Sequence, residues 1–304
     1  MKIVFMGTPN IARTCLKALA EAGHTVLAAY TKPDTPKNRG MKMTVSEVKE
    51  YALSANIPVI QPLTFKDDAV YEELKALAPE LIVVVAYGKI LPQRVLDIPK
   101  FGCVNMHASI LPCLRGAGPV QWSILNHHTE TGVTAMYMSK GMDEGDIIEI
   151  RRTPISPTET AGELLDRLAP IAAELACDTV KAIADGTVTR TPQDAAKATY
   201  APMLTKELSP VNWDNSARYV SDQVRGLIPW PVATAELCGT KFKIYRVSVE
   251  DKKTDAAPGT PLALTKKGLE VACRGEVVTV TELQAEGGKR MPAADYFRGH
   301  PVSL

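Results

Sequence analysis

Asn105 and His107 are two residues apart, and they are residue types that could do chemistry together. They follow the β-type run Gly102-Cys103-Val104, and because side chains alternate along a strand, both project from one face. Ligands bind at strand ends in open α/β sheets, where an amide donor and an imidazole can polarise a carbonyl group and move a proton. On local features alone, a strand end capped by polar residues is the other interpretation.

Two segments further along the chain complete a longer sequence pattern that begins with Asn105 and His107. Ser109-Ile110-Leu111-Pro112 follows at once, then Gly116, and Asp143 lies in the glycine-flanked run Gly141-Met142-Asp143-Glu144-Gly145. Together they resemble the pattern of the formyltransferases that use 10-formyltetrahydrofolate, which is Asn-x-His-x-Ser-x-Leu-Pro, then a glycine, then Asp-x-Gly. Every element of that pattern is present.

The flanking sequence resembles one branch of that family, the formyltransferases whose acceptor is methionyl-initiator-tRNA. The resemblance covers nearly the whole chain and includes the segments Met1–Pro9, Thr31-x-Pro33-Asp34, Arg39-Gly40, Ala86–Pro92, Arg115–Ala117, Pro229–Pro231 and Val280–Gln284. It implies an enzyme that moves a formyl group from 10-formyltetrahydrofolate to the α-amino group of charged initiator methionyl-tRNA, for translation initiation, and releases tetrahydrofolate. It implies no metal and no obligate protein partner.

The implied reaction, attack of an amine on a formamide carbonyl, needs three polar residues. Asn105 can donate a hydrogen bond to the oxygen that becomes negative. His107 can stabilise the same oxygen as imidazolium, and Asp143 can sustain the charge on His107 and act as the proton relay. By resemblance, the folate lies against three loops, and its predicted contacts are Tyr87, Gly88, Ile90, Leu91, Ser109, Ile110, Leu111, Pro112, Gly141 and Met142.

A basic segment near the N-terminus is the candidate for contact with RNA. Thr31–Lys49 holds five basic residues and two acidic ones, and its prolines and glycine interrupt regular structure. Such charge runs are usually solvated connections. With the resemblance, Arg39 and Lys42 become candidates for the tRNA acceptor end, because a charged substrate needs phosphate and base contacts.

The elements that must position these residues alternate between strands and helices over the first half of the chain. This order predicts a Rossmann-like parallel sheet with helices on both faces, in which Leu81–Tyr87 is a central buried strand. Residues 103–107 and 132–138 supply two further strands, and apolar spacing predicts a long helix over Ala161–Ala184. Gly7-Thr8-Pro9 lacks the later glycines of a dinucleotide-binding turn, which argues against NAD.

The sequence predicts two domains with a linker between them. The first domain covers 1–188, and the resemblance implies that it is the formyltransferase catalytic domain. Residues 189–205, rich in Thr, Pro and Ala, are the predicted linker. Short β-type runs separated by turns then predict a small OB-like β-barrel over 206–304. The resemblance implies that this domain binds tRNA. Lys241, Lys243 and Arg246 lie on one of these β-type runs and could form a basic face on the barrel.

Composition excludes several classes of protein. The formal charge is only +1, so no global field indicates a nucleic-acid or membrane partner. The longest apolar stretch has seven residues, Leu81–Tyr87, whereas a membrane-spanning helix needs about 20. Six cysteines are scattered without a Cys-x-x-Cys pair, which favours reduced thiols in a cytoplasmic protein.

Two rival functions remain open at this point. One is a formyltransferase that acts on a small substrate, an amino sugar or a purine precursor; enzymes of the purine type need only the first domain, so the predicted barrel disfavours them. The other is a non-catalytic module that binds RNA or folate, which the presence of all three polar residues disfavours.

Overall fold

The computed structural model describes residues 1–37 and 42–301, and these form two compact units. The first unit comprises Met1–Pro119, Glu130–Pro154 and Leu165–Pro202; the second comprises Val120–Thr129, Ile155–Leu164 and the chain from Met203 onward. The predicted domains are contiguous, whereas these units interleave. Among the described residues, no helix combines the length and apolar character needed to cross a membrane.

The strands are β1 (Lys2–Gly7), β2 (Thr25–Tyr30), β3 (Thr35–Lys37), β4 (Lys42–Thr44), β5 (Val59–Ile60), β6 (Leu81–Val85), β7 (Cys103–His107), β8 (Glu130–Tyr137), β9 (Ile147–Pro154), β10 (Ala233–Leu237), β11 (Thr240–Lys253), β12 (Pro261–Leu264), β13 (Leu269–Ala272), β14 (Glu276–Ala285) and β15 (Met291–Pro292). The helices are α1 (Asn10–Glu21), α2 (Glu47–Ser54), α3 (Asp68–Ala76), α4 (Gln93–Leu96), α5 (Pro119–Leu125), α6 (Ala161–Ala184), α7 (Ala217–Gly226) and α8 (Ala293–Gly299).

The first unit is built on a sheet with the strand order β5-β2-β1-β6-β7-β8-β9. Strands β5, β2, β1, β6 and β7 run parallel, so the predicted Rossmann-like sheet is confirmed. All five residues of β6 are buried, as expected for a parallel strand covered on both faces. The predicted strand at 132–138 exists as β8, but β8 and β9 run antiparallel at the edge. After β7 ends, the chain enters β8 at the same edge of the sheet, so the connection between these two strands is not a parallel crossover.

Helices pack on this sheet by the apolar faces that their sequences supply. Helix α1 buries Ile11, Cys15, Leu16 and Leu19, which recur at the three- and four-residue spacing of one helix face. Helix α2 begins after Ser46, whose hydroxyl accepts a hydrogen bond from the Lys49 backbone N–H at 3.1 Å. The long helix α6 has the predicted bounds.

Residues 189–202, which we call the strap, belong to the first unit and pair with other segments of it. Thr191 forms a backbone bridge with Ile147, and Tyr200 forms one with Arg115. The sequence predicts a linker over 189–205, which includes the strap, because this range lacks periodicity. A 3-10 turn occurs in the strap at Ala195–Lys197.

The second unit contains an antiparallel sheet with the order β10-β11-β14-β13-β12, and β15 pairs with β14. The predicted C-terminal β domain is therefore confirmed, and its sheet is antiparallel. Trp122 and Leu125, from a segment far upstream in sequence, pack against its core. Arg225 donates hydrogen bonds to the carbonyls of Ser156 and Glu159, at 3.0 and 2.9 Å. These contacts explain why residues 120–129 and 155–164 belong to this unit.

Candidate active site

Strand β7 carries Asn105 and His107 near its carboxyl end, at the edge where the parallel strands of the first unit finish. Asn105 pairs in register with Val84 on β6, and His107 with Thr134 on β8. The two residues are separated by one position, so their side chains lie on the same face of the sheet. Within the described residues the Asn105 amide group has no hydrogen-bond partner, and its side chain is half-buried. Its N–H groups are therefore available to a bound molecule.

The His107 imidazole is buried, with 6% of its side chain exposed, and it faces a carbonyl on one side and a carboxylate on the other. Its Nε2 lies 2.9 Å from the Leu114 carbonyl oxygen. Because a carbonyl can only accept, Nε2 carries a hydrogen and donates. Nδ1 lies 3.6 Å from Oδ2 of Asp143. The ring is thus oriented so that a second proton, on Nδ1, would face a negative charge.

Asp143 reaches this position on a tightly wound loop. Its backbone φ is 53°, in the left-handed region that aspartate tolerates better than most residues. Oδ2 of Asp143 accepts a hydrogen bond from the Gly116 backbone N–H at 2.8 Å. Gly145 packs against the Tyr137 carbonyl, leaving no space for a Cβ atom. Loop geometry and the Gly116 amide together aim the carboxylate at His107.

The segment that follows β7 is pinned by Thr134, the residue opposite His107 on β8. The Thr134 hydroxyl donates to the Ser109 carbonyl at 2.6 Å and accepts from the Leu111 backbone N–H at 3.1 Å. The Ser109 hydroxyl donates to the Cys113 carbonyl at 2.7 Å. These bonds hold residues 109–113 in a compact turn beside the histidine.

Gly116 is required where this segment meets the strap. Its φ is +116°, and a Cβ atom there would lie 2.6 Å from the Ala201 carbonyl oxygen. A side chain at position 116 would collide with the backbone of the strap and would displace the Gly116 N–H that binds Asp143.

The predicted folate contacts differ in how much of their surface is accessible to a ligand. Tyr87, Leu91, Ser109 and Leu111 are at most 5% exposed as whole residues, so they offer a ligand little accessible surface. Tyr87 packs its ring against Phe65. In contrast, Ile90 is 81% exposed and Met142 is 51% exposed. The other predicted contacts are Gly88 and Gly141, which have no side chain, and Ile110 and Pro112, which are half-buried.

The loop after β6 is anchored by Lys89. Its Nζ donates to the Pro62 and Leu63 carbonyls at 2.5 and 2.6 Å. Burial, and then repulsion from Lys32, lower the pKa of Lys89 from its ordinary value. Gly88 has φ +71°, and the Lys32 side chain occupies the space a Cβ atom would need. The loop is therefore held by the hydrogen bonds of the Lys89 ammonium group, and it requires glycine at position 88.

Of the two predicted contacts with the tRNA acceptor end, only one lies within the described residues. Arg39 lies outside the described residues, and Lys42 begins β4, where its backbone pairs with Lys37. In the second unit, Lys241, Lys243 and Arg246 are exposed on β11. No group of three or more metal-binding side chains occurs among the residues that the structure describes.

Sequence reasoning did not find the residues whose hydrogen bonds hold the segments around His107 and Asp143. Thr134 could have been found, since it lies in a predicted strand next to β7. Gln193 and Thr199 lie in the strap, where the sequence has no periodicity to indicate a position. Gln193 donates to the carbonyls of Asp143 and Gly145, and Thr199 accepts from the backbone N–H of Leu114.

Two family models match most of the chain. The one described as formyl transferase matches residues 1–180, and the one described as formyl transferase, C-terminal domain, matches residues 203–301.

Curated relatives are similar over their full length. The chain is 43% identical to a methionyl-tRNA formyltransferase of Alkaliphilus oremlandii, covering 99% of this chain and 97% of the relative. It is 46% identical to a methionyl-tRNA formyltransferase of Acetivibrio thermocellus, again covering 99% of this chain and 97% of the relative.

Solved structures share the fold at lower sequence identity. An N-formyltransferase from Helicobacter canadensis, in complex with folinic acid and dTDP-3-aminofucose, has a TM-score of 0.71 and 19% identity, covering 92% of this chain and 99% of that one. HypX from Aquifex aeolicus, in complex with tetrahydrofolic acid, has a TM-score of 0.67 and 19% identity, covering 98% of this chain and 47% of that one.

Proposed function

Because the chain belongs to the formyl transferase family, among the methionyl-tRNA formyltransferases, we propose that it transfers the formyl group of 10-formyltetrahydrofolate to the α-amino group of initiator methionyl-tRNA. The similarity extends over 99% of the chain at 43% to 46% identity, and this is the observation that carries the proposal. The arrangement of polar side chains at the end of β7 supports the roles that follow.

Asn105 is the hydrogen-bond donor for the formyl oxygen. When the amine adds to the formyl carbon, that oxygen becomes negative, and the amide of Asn105 has no protein partner within the described residues. A donor that is already in place needs no reorganisation during the reaction. Its stabilisation therefore falls mainly on the transition state.

His107 and Asp143 handle charge and protons. With its Nε2–H donated to Leu114, the ring places Nδ1 at 3.6 Å from the Asp143 carboxylate. A proton on Nδ1 makes the ring positive next to both that carboxylate and the developing oxygen charge. Asp143 then sustains the imidazolium, and it directs the proton that leaves the amine toward the departing nitrogen of the folate.

The folate lies against three loops: the one after β6, the one after β7, and residues 141–145, which we call the Asp143 loop. Ile90 and Met142 offer exposed apolar side chains, and the loop backbones offer donors and acceptors for a polar ring. This combination suits a flat heterocycle with polar edges. Because four of the predicted contacts are buried as whole residues, recognition of the ring depends mainly on the accessible ones, which are Gly88, Ile90, Ile110, Pro112, Gly141 and Met142.

Recognition of tRNA is assigned to two places. Arg39 and Lys42 in the basic segment contact the acceptor end, and exposed cations of the second unit, including Lys243, contact phosphates. The +1 charge of the whole chain is compatible with such local patches. We place the reaction in the cytoplasm, where initiator tRNA is used.

The experiment is an acceptor panel with the purified chain and 10-formyltetrahydrofolate. Initiator methionyl-tRNA, elongator methionyl-tRNA, free methionine and a dTDP-amino sugar are each offered at equal concentration. We expect kcat/KM to be highest for initiator methionyl-tRNA. Preference for the amino sugar would establish the small-substrate rival, and folate binding without turnover of any acceptor would establish the non-catalytic one.

A further inference from the structure

We infer that the strap is a positioning device for the His107–Asp143 pair, acting through Gln193 and Thr199. This inference rests on the proposed function. Among the described hydrogen bonds of Gln193 and Thr199, none goes to the side chain of His107 or Asp143. Thr199 binds backbone groups of the segment that orients His107, and Gln193 binds backbone carbonyls of the loop that carries Asp143 together with the Arg115 side chain.

Gln193 joins the two loops through all the polar atoms of its amide. Its Nε2 donates to the Asp143 carbonyl at 2.9 Å and to the Gly145 carbonyl at 2.8 Å. Its Oε1 accepts from Arg115, at 3.1 Å from Nε and 2.8 Å from a terminal guanidinium nitrogen. The amide group is thus a bridge between the Asp143 loop and Arg115.

This bridge sets the position of the carboxylate. Gly116, the residue after Arg115, donates its backbone N–H to Oδ2 of Asp143 at 2.8 Å. Gln193 therefore holds both the residue that carries the carboxylate and the neighbour of the residue that cradles it. Asp143 is in the left-handed region, at φ 53°, so its loop depends on outside hydrogen bonds to keep its shape.

Thr199 acts in the same way on the other side of the pair. Its hydroxyl oxygen accepts from the Leu114 backbone N–H at 2.8 Å, and its carbonyl accepts from the Arg115 N–H at 2.9 Å. Leu114 has φ 60°, and its carbonyl is the acceptor for Nε2 of His107. Thr199 therefore fixes the residue that orients the imidazole.

Together, the two strap residues hold both members of a pair that is 3.6 Å apart. In a preorganised site, a displacement of about 1 Å far from the reacting atoms can lower the rate about 100-fold. Loss of either strap contact should consequently reduce kcat and leave the folate loop after β6 undisturbed.

The first test is Gln193→Glu, which keeps the volume and the acceptor for Arg115 but removes both donors to the Asp143 loop. We expect kcat to fall about 10- to 100-fold, while the dissociation constant for tetrahydrofolate changes less than about threefold. Asp194→Asn is the matched control, because it makes the reverse isosteric change at the adjacent strap residue. Its oxygen can still accept from the Ala196 N–H, and we expect wild-type kcat.

The second test separates positioning through Asp143 from a general structural role. If Gln193 acts through Asp143, then Gln193→Glu should have almost no further effect on kcat in an Asp143→Asn background. A structural role would give the same fold-loss in both backgrounds, and that result would overturn the inference. Wild-type kcat in the single Gln193→Glu variant would also overturn it.

Thr199→Val provides an independent variant should Gln193→Glu not fold. It keeps the shape and removes the acceptor for Leu114, and we expect kcat to fall about tenfold with unchanged tetrahydrofolate binding. An unchanged kcat in Thr199→Val would refute the claim that Thr199 positions His107 through Leu114. An inactive wild-type chain would instead refute the proposed function, so the two failures are distinguishable.

Discussion

Replacing Asp143 with Asn removes a charge from the site and leaves its shape nearly unchanged. The new carbonyl oxygen can still accept the hydrogen bond from Gly116, now 2.8 Å long. What is lost is the negative charge 3.6 Å from Nδ1 of His107. The substitution therefore tests electrostatics rather than packing.

The size of the effect follows from that distance. Two unit charges 3.6 Å apart attract by about 4 to 5 kcal/mol at an effective dielectric constant of about 20. The two side chains are only 6% and 16% exposed, so solvent screens them little. Since the charge on His107 matters most opposite the developing oxyanion, most of this loss appears in the transition state, which corresponds to a fall in kcat of about 10²- to 10³-fold.

The assay is formylation of initiator methionyl-tRNA under saturating conditions, with tetrahydrofolate binding measured separately. We expect kcat to fall by the stated factor and the folate dissociation constant to change less than about threefold. Asp146→Asn is the control, because it makes the same change in the same loop, and its carboxylate has no hydrogen-bond partner among the described residues. A kcat for Asp143→Asn within tenfold of wild type would refute the electrostatic role.

Three further outcomes are expected. Asn105→Ala should lower kcat about 10²- to 10³-fold, the usual cost of losing one oxyanion donor; a drop below tenfold in steady-state turnover would contradict its role. Arg39→Ala should raise KM for the charged tRNA and leave folate binding intact, and Arg39→Lys should restore it poorly, since only guanidinium binds phosphate bidentately; equal KM values would make the loop a mere connection. Lys243→Gln should reduce the slope of log affinity for tRNA against log salt by about one; an unchanged slope in filter binding would exclude a phosphate contact there.

The sequence predicted the central elements of the first unit because their patterns are strong. Strand β6 is apolar at every position, and α6 repeats apolar residues at helical spacing. Strand β9 was not predicted, because it lies at the sheet edge and is half-exposed, without clear alternation. Helix α7 was not predicted either, and its apolar residues, such as Val220 and Val224, are few among polar ones.

The site was predicted in part, for a related reason. Asn105, His107 and Asp143 belong to short motifs, and motifs are visible in sequence. Gln193 and Thr199 bind residues far away along the chain, mostly through the backbone of those residues, and such contacts depend on geometry that spacing does not encode. The interleaving of the two units has the same origin, since Trp122 and Leu125 look like ordinary apolar residues until the core they join is known.

A single-turnover experiment tests the central claim most directly. Excess chain is mixed with 10-formyltetrahydrofolate labelled in its formyl carbon, with equal initiator methionyl-tRNA and dTDP-amino sugar, and the label is followed by rapid quench. We predict that the label leaves the folate in one phase and is recovered as formylmethionine after hydrolysis of the tRNA ester. Label that remains on the folate, or that is recovered on the amino sugar, would contradict the assignment of initiator methionyl-tRNA as the acceptor.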